Sequence, residues 1–226
     1  MKPGYLKKKI CVFDIETGSL PEEEVLRIAG EFNEDKVKTG NLGIEKAMEK
    51  ILKAKEDHLK NLVEKAPLNA EYGVVLAIGI KNETEEVVLW GEEKKILSDF
   101  WSRVAHDYQD NQTIWVGFNS TNFDLPFLLR RSFMVGAKVP SECVPVSRYW
   151  CGNFWKDLFD VYKAGDYRAT ISLDRFCRAC GLEGKNGSGK YFGQLFKEDR
   201  EKALEYCLND IRITYKLAKR IFACLT

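Results

Sequence analysis

The first residues that could do chemistry are two carboxylates, Asp14 and Glu16, near the end of the apolar run Lys9–Thr17 (KICVFDIET). In a strand, residues two apart point to the same face, so these two side chains are expected to lie together. Close carboxylates repel each other unless a cation lies between them, and oxygen-only ligands favour a hard ion such as Mg²⁺ or Mn²⁺. The pair alone is weak evidence for a metal site, because many strands end in exposed acidic residues.

A further candidate is Asp210, which lies on a mostly apolar face of the last predicted helix, one turn after Tyr206. A carboxylate on the core-facing side of a helix is costly unless it forms an ion pair or binds a metal. Both explanations stay open, with Arg130 or Arg175 as the partner in an ion pair.

Asp124 is the fourth acidic candidate, at the start of a predicted helix within Gly117–Arg131 (GFNSTNFDLPFLLRR). An aspartate in this position commonly caps the helix N-terminus. Its neighbours Asn119 and Phe123 favour a functional role when the three acidic segments are considered together.

These segments, in this order and at these distances, resemble the three motifs of the DEDD superfamily of 3′-5′ exonucleases. DIET from Asp14 is similar to the first motif, NSTNFD ending at Asp124 to the second, and YCLND ending at Asp210 to the third. The resemblance is closest to the proofreading exonuclease domain of family B DNA polymerases. VVLAIGI, DLFDVY and SLDRFCRACGLEGK are similar to stand-alone bacterial and phage relatives. Tyr206, in place of a histidine, indicates the tyrosine subclass.

The resemblance implies a hydrolase that cleaves phosphodiester bonds at the 3′ end of DNA, in single-stranded form, and releases 5′-mononucleotides. Two divalent ions, Mg²⁺ or Mn²⁺, roughly 4 Å apart would clamp the scissile phosphate. By the same resemblance, Tyr206 would orient the attacking water. The implied metal ligands are Asp14, Glu16, Asp124 and Asp210.

Five more residues would contact the substrate, again by resemblance. Backbone groups near Thr17 and Gly18 would hold the terminal 3′-hydroxyl, and Asn119 and Phe123 would contact the terminal nucleotides. Lys185 would contact a phosphate at most. Structural alternatives are a turn at Gly18, a strand-end hydrogen bond for Asn119 and core packing for Phe123.

The elements that must position these residues follow from apolar periodicity. Three strands in meander order, followed by alternating helices and strands, predict a mixed α/β sheet of five strands flanked by helices. The resemblance implies that this is the ribonuclease H-like fold. The predicted strands are Lys9–Thr17, Tyr72–Ile80, Glu85–Trp90, Thr113–Phe118 and Trp155–Tyr162. The predicted helices are Ile96–Tyr108, Asp124 to near Gly136, Ser172–Cys180 and Glu198–Phe222. The polar stretch 21–67 predicts a helical insertion in a single domain spanning 1–226.

Composition sets outer limits. The chain has 226 residues and a net charge of +1, so its composition does not indicate a large basic surface for nucleic acid. No apolar run approaches the roughly 20 residues of a membrane helix, and Met1–Ile10 lacks the features of a signal peptide. Seven cysteines, an odd number, favour reduced thiols and a cytoplasmic location.

Two other patterns carry less weight. Gly184–Lys190 (GKNGSGK) resembles a phosphate-binding loop, but Tyr191 stands where that loop needs serine or threonine. Cys177 and Cys180 form a lone C-x-x-C pair in a predicted helix, which favours packing over zinc binding. The open alternatives are the same chemistry on RNA, or a nucleic-acid-binding module with an inactive site. We expect any proofreading to serve a separate polymerase or repair machinery.

Overall fold

The computed structural model describes residues 8–144, 154–184 and 192–225. It divides into two compact units. One contains the residues up to Thr17 together with those from Val75 onward, and the other is Gly18–Val74.

A five-stranded sheet forms the centre of the first unit, with the strand order β3-β2-β1-β4-β5. Strands β2 and β3 pair antiparallel, whereas β1 with β4 and β4 with β5 pair parallel. The predicted mixed α/β sheet is therefore confirmed. The strands are β1 (Lys9–Ser19), β2 (Gly73–Lys81), β3 (Glu86–Trp90), β4 (Thr113–Gly117) and β5 (Trp155–Asp157).

Helices complete both units. The insertion predicted after the first strand contains α1 (Glu22–Ala29) and α2 (Ile44–Lys65). The helices of the sheet unit are α3 (Glu93–Asp110), α4 (Asp124–Val135), α5 (Leu158–Lys163), α6 (Leu173–Ala179), α7 (Phe192–Glu198) and α8 (Arg200–Phe222). In the described part of the chain, none of the helices is both long and apolar enough to cross a membrane.

Strand β1 is covered on both faces, as its continuous apolar run predicts. On one face the ring of Phe13 lies 5.7 Å from that of Phe100 and 5.5 Å from that of Trp155. On the other face Val12 belongs to a buried cluster with Ile211 of α8. This two-sided packing fixes the strand that carries Asp14 and Glu16.

A buried ion pair connects α4 with α3, and it also contacts the start of β2. The guanidinium of Arg131, which is 5% exposed, donates to both carboxylate oxygens of Glu93, at 2.9 and 2.7 Å. One of those oxygens also accepts the backbone N–H of Val75 at 2.8 Å. Because a buried charge left without its partner is strongly unfavourable, this pair holds α4 in place.

Two predicted elements have different bounds in the structure: a strand that ends earlier and a helix that begins later. The strand predicted for Trp155–Tyr162 stops at Asp157, so the prediction is wrong beyond that residue. The Asp157 carboxylate accepts the N–H of Phe159 at 2.9 Å and caps the start of α5. Apolar periodicity, on which the strand prediction is based, does not detect such a cap. The last helix begins at Arg200 and not at Glu198, because Asp199 caps it and ends the separate helix α7.

The second unit, Gly18–Val74, has little core of its own. Helix α2 is 22 residues long and none of its residues is buried. Its apolar side chains Ile44, Met48 and Leu52 are 84%, 61% and 60% exposed. The helical spacing of these residues therefore predicts the helix correctly, but it does not mark a buried face.

Candidate active site

Three carboxylates meet where β1 and α8 approach each other. One oxygen from each of Asp14, Glu16 and Asp210 lies within 4.8 Å of the other two. Glu16 is 7% exposed and Asp210 only 1%, so little water screens their charges. An oxygen-only set at this spacing is the kind of site that holds a hard divalent cation such as Mg²⁺ or Mn²⁺.

Asp210 reaches this position because α8 packs very closely on β2. A Cβ atom at Gly79 would lie 2.7 Å from a methyl carbon of Ile211 and 2.9 Å from the sulfur of Cys207, so only glycine fits. Burial, followed by the charge of Glu16, raises the pKa of the Cys207 thiol well above its usual range. Cys207 is therefore a packing residue and not a thiolate nucleophile.

Asp124 lies beside the three carboxylates but is not one of the group within 4.8 Å. It is 3% exposed, and one of its oxygens accepts the backbone N–H of Ile15 at 3.1 Å. Burial, followed by the charge of Asp14, raises the pKa of Asp124 well above its usual value. The N-cap position of α4 belongs to Phe123, so Asp124 is the first residue of the helix rather than its cap.

The turn before Asp124 is held by Asp157, a buried residue that its sequence context did not single out. The Asp157 carboxylate accepts the backbone N–H groups of Asn119 at 2.8 Å and of Thr121 at 2.9 Å. It also accepts the Thr121 hydroxyl at 2.8 Å. The only local signal for these contacts is the position of the aspartate between a short strand and a helix. Many aspartates in that position merely cap the helix. Asp157 therefore positions the turn that leads to Asp124.

Asn119 and Phe123 both have partners within the same segment. Asn119 adopts a left-handed backbone conformation with φ 61°, which asparagine tolerates better than most residues. Its side-chain oxygen accepts the amide of Asn122 at 2.8 Å. The half-buried ring of Phe123 lies 5.5 Å from that of Phe127. These contacts agree with the structural alternatives, and the substrate roles of both residues stay predictions.

Tyr206 lies one helical turn before Asp210 on α8, as the spacing requires. Its hydroxyl oxygen is shielded from solvent, and its ring lies 6.2 Å from that of Phe192. No ion pair between described residues involves Arg130 or Arg175. The structure therefore does not support the proposed arginine partners for Asp210.

The other predicted substrate contacts are less informative. Thr17 and Gly18 continue β1 directly after Glu16, so Gly18 lies in a strand and not in a turn. Lys185 and most of the glycine-rich stretch around it lie outside the described residues.

Residues 73–224 match a family model described as a predicted 3′-5′ exonuclease related to the exonuclease domain of PolB. The match covers well over half of the chain. It includes Asp124, Tyr206 and Asp210 and begins after the carboxylates of β1.

Two archaeal polymerases are similar to the chain in sequence. DNA polymerase 1 of Aeropyrum pernix is 30% identical over 158 residues, which are 64% of this chain and 15% of that protein. A DNA polymerase of Archaeoglobus fulgidus is 33% identical over 196 residues, which are 77% of this chain and 24% of that protein. The chain thus spans a quarter or less of the length of these relatives.

A solved structure shares the fold. The family B DNA polymerase of Pyrobaculum calidifontis superposes with a TM-score of 0.58 and 17% identity, over 95% of this chain and 24% of that one. At this identity the likeness concerns the fold alone.

Proposed function

Because the chain belongs to the family of 3′-5′ exonucleases related to the exonuclease domain of PolB, we propose that it removes nucleotides from the 3′ end of single-stranded DNA. The products are 5′-mononucleotides. The observation that carries the proposal is the group of Asp14, Glu16 and Asp210, whose oxygens lie within 4.8 Å of one another. The tyrosine subclass and a kinship with stand-alone bacterial and phage relatives are part of the same proposal.

Four carboxylates are proposed as ligands of two divalent ions, Mg²⁺ or Mn²⁺: Asp14, Glu16, Asp124 and Asp210. When bound, such ions supply positive charge at the scissile phosphate and make water a better nucleophile at neutral pH. The protein contributes fixed positions for the ligands. The packing of β1, the close approach of α8 to Gly79 and the hydrogen bond from Ile15 to Asp124 support this rigidity.

Tyr206 is proposed to orient the attacking water. Tyr206 lies on α8 about 6 Å along the helix axis before Asp210, and its hydroxyl is shielded from solvent. A phenol at this position can hold water by a hydrogen bond in line with the bond to be broken. Thr17, Gly18, Asn119, Phe123 and Lys185 are proposed as contacts of the terminal nucleotides.

The test is digestion of a single-stranded oligodeoxynucleotide labelled at its 5′ end, with Mg²⁺ or Mn²⁺ and with or without chelator. We expect a ladder that shortens from the 3′ end, release of 5′-mononucleotides, and no digestion with chelator. Asp14→Asn and Asp210→Asn should lower the rate on the order of a thousandfold, since the ion contributes several kcal/mol to the transition state. Asp110→Asn, at an exposed carboxylate at the end of α3, is the matched control and should digest normally.

Other outcomes point to the alternatives. Faster digestion of an RNA oligonucleotide of the same sequence would make RNA the substrate. Binding of the strand with no digestion under any metal condition would indicate an inactive binding module. Full activity in Asp14→Asn or Asp210→Asn would refute the proposed site.

A further inference from the structure

We propose that Trp90 and Arg200 form a stacking platform for a base of the bound single strand, several nucleotides 5′ of the bond that is cleaved. This proposal rests on the proposed function and adds a second contact for the same strand, away from the carboxylates.

The platform pairs an exposed aromatic ring with a cation. Trp90, the last residue of β3, is 49% exposed, which is unusual for a tryptophan. The guanidinium carbon of Arg200 lies 5.1 Å from the Trp90 ring centre and 5.4 Å from that of Phe196. Among the described residues no carboxylate forms an ion pair with Arg200. A half-exposed indole beside a guanidinium that forms no ion pair with a described residue offers a base a stacking partner and its phosphate a counter-charge.

The platform is connected to the candidate active site by continuous packing. Trp90 is paired with Ala77 across the β2–β3 ladder. Ala77 lies in a buried cluster with Phe192, and Tyr206 and Phe196 pack against that cluster. The ring of Phe192 lies 6.2 Å from that of Tyr206 and 5.7 Å from that of Phe196. Tyr206, Phe196 and Trp90 therefore border the same packed cluster between α7, α8 and the edge of the sheet.

The helix sets the distance between the two sites. Arg200 and Asp210 lie ten residues apart on α8, which is an axial separation of about 15 Å. Stacked nucleotides advance about 3.4 Å each along one strand, so the separation corresponds to about four nucleotides. A substrate shorter than this cannot reach the platform and the carboxylates at the same time.

The test compares a long and a minimal substrate. A single-stranded 20-mer can contact both sites, whereas the p-nitrophenyl ester of thymidine 5′-monophosphate has no upstream strand. We expect Trp90→Ala to raise KM for the 20-mer about tenfold or more, with kcat nearly unchanged, because stacking contributes to binding and not to the chemical step. Its kinetics with the small ester should equal those of the wild type. Trp90→Tyr should restore most of the affinity for the 20-mer, because it keeps an aromatic face.

A matched control is available elsewhere on the surface. Tyr167 is 81% exposed and has the guanidinium of Arg168 over its ring at 5.4 Å, but it is not part of the cluster around Tyr206. Tyr167→Ala should leave both substrates unaffected. Arg200→Glu, at the exposed first residue of α8, should weaken binding of the 20-mer and reduce the salt dependence of that binding by the equivalent of about one phosphate contact.

A direct binding measurement separates this proposal from the proposed function. Fluorescence anisotropy with a labelled 20-mer in chelator reports binding without cleavage. Weaker binding by Trp90→Ala supports the platform even if no digestion is seen. Absence of digestion would refute the proposed nuclease activity but not the platform. Unchanged binding and KM in Trp90→Ala, equal losses with both substrates, or an equal effect of Tyr167→Ala would overturn the platform.

Discussion

Replacing Asp210 with asparagine should make the metal-free protein more stable while removing its response to divalent ions. The change keeps the shape of the side chain and removes one of three negative charges that lie within 4.8 Å of one another. Without a cation these charges oppose folding, because the chain brings them together only in the native state. The same substitution should abolish digestion, so stability and activity are expected to change in opposite directions.

The magnitude follows from the spacing. At 4.8 Å and an effective dielectric constant of about 20, two full charges repel by about 3 kcal/mol. Asp210 takes part in two such pairs, but water at the half-buried Asp14 screens part of the repulsion. A net gain of about 2–3 kcal/mol is therefore expected in chelator, or a rise in Tm of about 5–10 °C for a chain of this size. In the wild type, an ion at a hundredfold excess over its Kd should add about 2.7 kcal/mol.

Thermal unfolding, monitored by circular dichroism, tests both expectations. Measurements in chelator test the gain in stability, and a Mn²⁺ series tests the loss of the response to divalent ions. The control is Asp110→Asn, which neutralises an exposed carboxylate and should change stability by no more than about 0.5 kcal/mol. It should also keep the full response to Mn²⁺. A lower Tm for Asp210→Asn in chelator, or a shift with Mn²⁺ equal to that of the wild type, would contradict the expected repulsion among the three carboxylates.

Three further substitutions test the packing that holds the site. Gly79→Ala should displace α8 and lower the digestion rate on the order of a hundredfold; a rate equal to wild type would contradict the close approach at that residue. Asp157→Asn should destabilise the protein by about 1–3 kcal/mol in urea unfolding, because buried donors lose a charged acceptor, and an unchanged midpoint would argue against its role. Arg131→Ala should cost about 3–5 kcal/mol by leaving Glu93 buried without its partner. Its control, Arg130→Ala, lies on the same helix at an exposed position, forms no ion pair with any residue that the structure describes, and should be neutral.

The elements that carry the acidic residues could be predicted because their periodicity is clear. Strand β1 reads as a continuous apolar run, and α8 repeats apolar residues over more than six turns with Tyr206 and Asp210 on the buried side. Both elements are found close to their predicted bounds. Since residues two apart share a strand face and residues four apart share a helix face, the spacing placed Asp14 beside Glu16 and Tyr206 beside Asp210. That the acidic residues of β1 and α8 meet was implied only by the resemblance to the exonuclease motifs.

The remaining features depend on contacts between distant parts of the chain. Asp157 binds backbone groups 36 and 38 residues earlier, and no local pattern announces such hydrogen bonds. The close approach at Gly79 is equally invisible until α8 is placed on the sheet. Trp90 is the last residue of β3, a strand at the edge of the sheet. At such a position the alternation of apolar and polar residues no longer predicts which side chains are buried. The roles of the candidate site residues stay predictions, as does the assignment of 21–67 to an insertion within one domain.

The connection between the two ends of the unit Gly18–Val74 suggests how it can be exchanged. The backbone N–H of Leu20 donates to the carbonyl of Tyr72 at 2.9 Å, so the chain leaves and returns at nearly the same point. A segment with adjoining ends can be shortened or replaced by a tight turn at little entropic expense, because loop closure depends only weakly on length. The same position could accept a reporter module or a different binding element, with the five-stranded sheet kept as a constant scaffold.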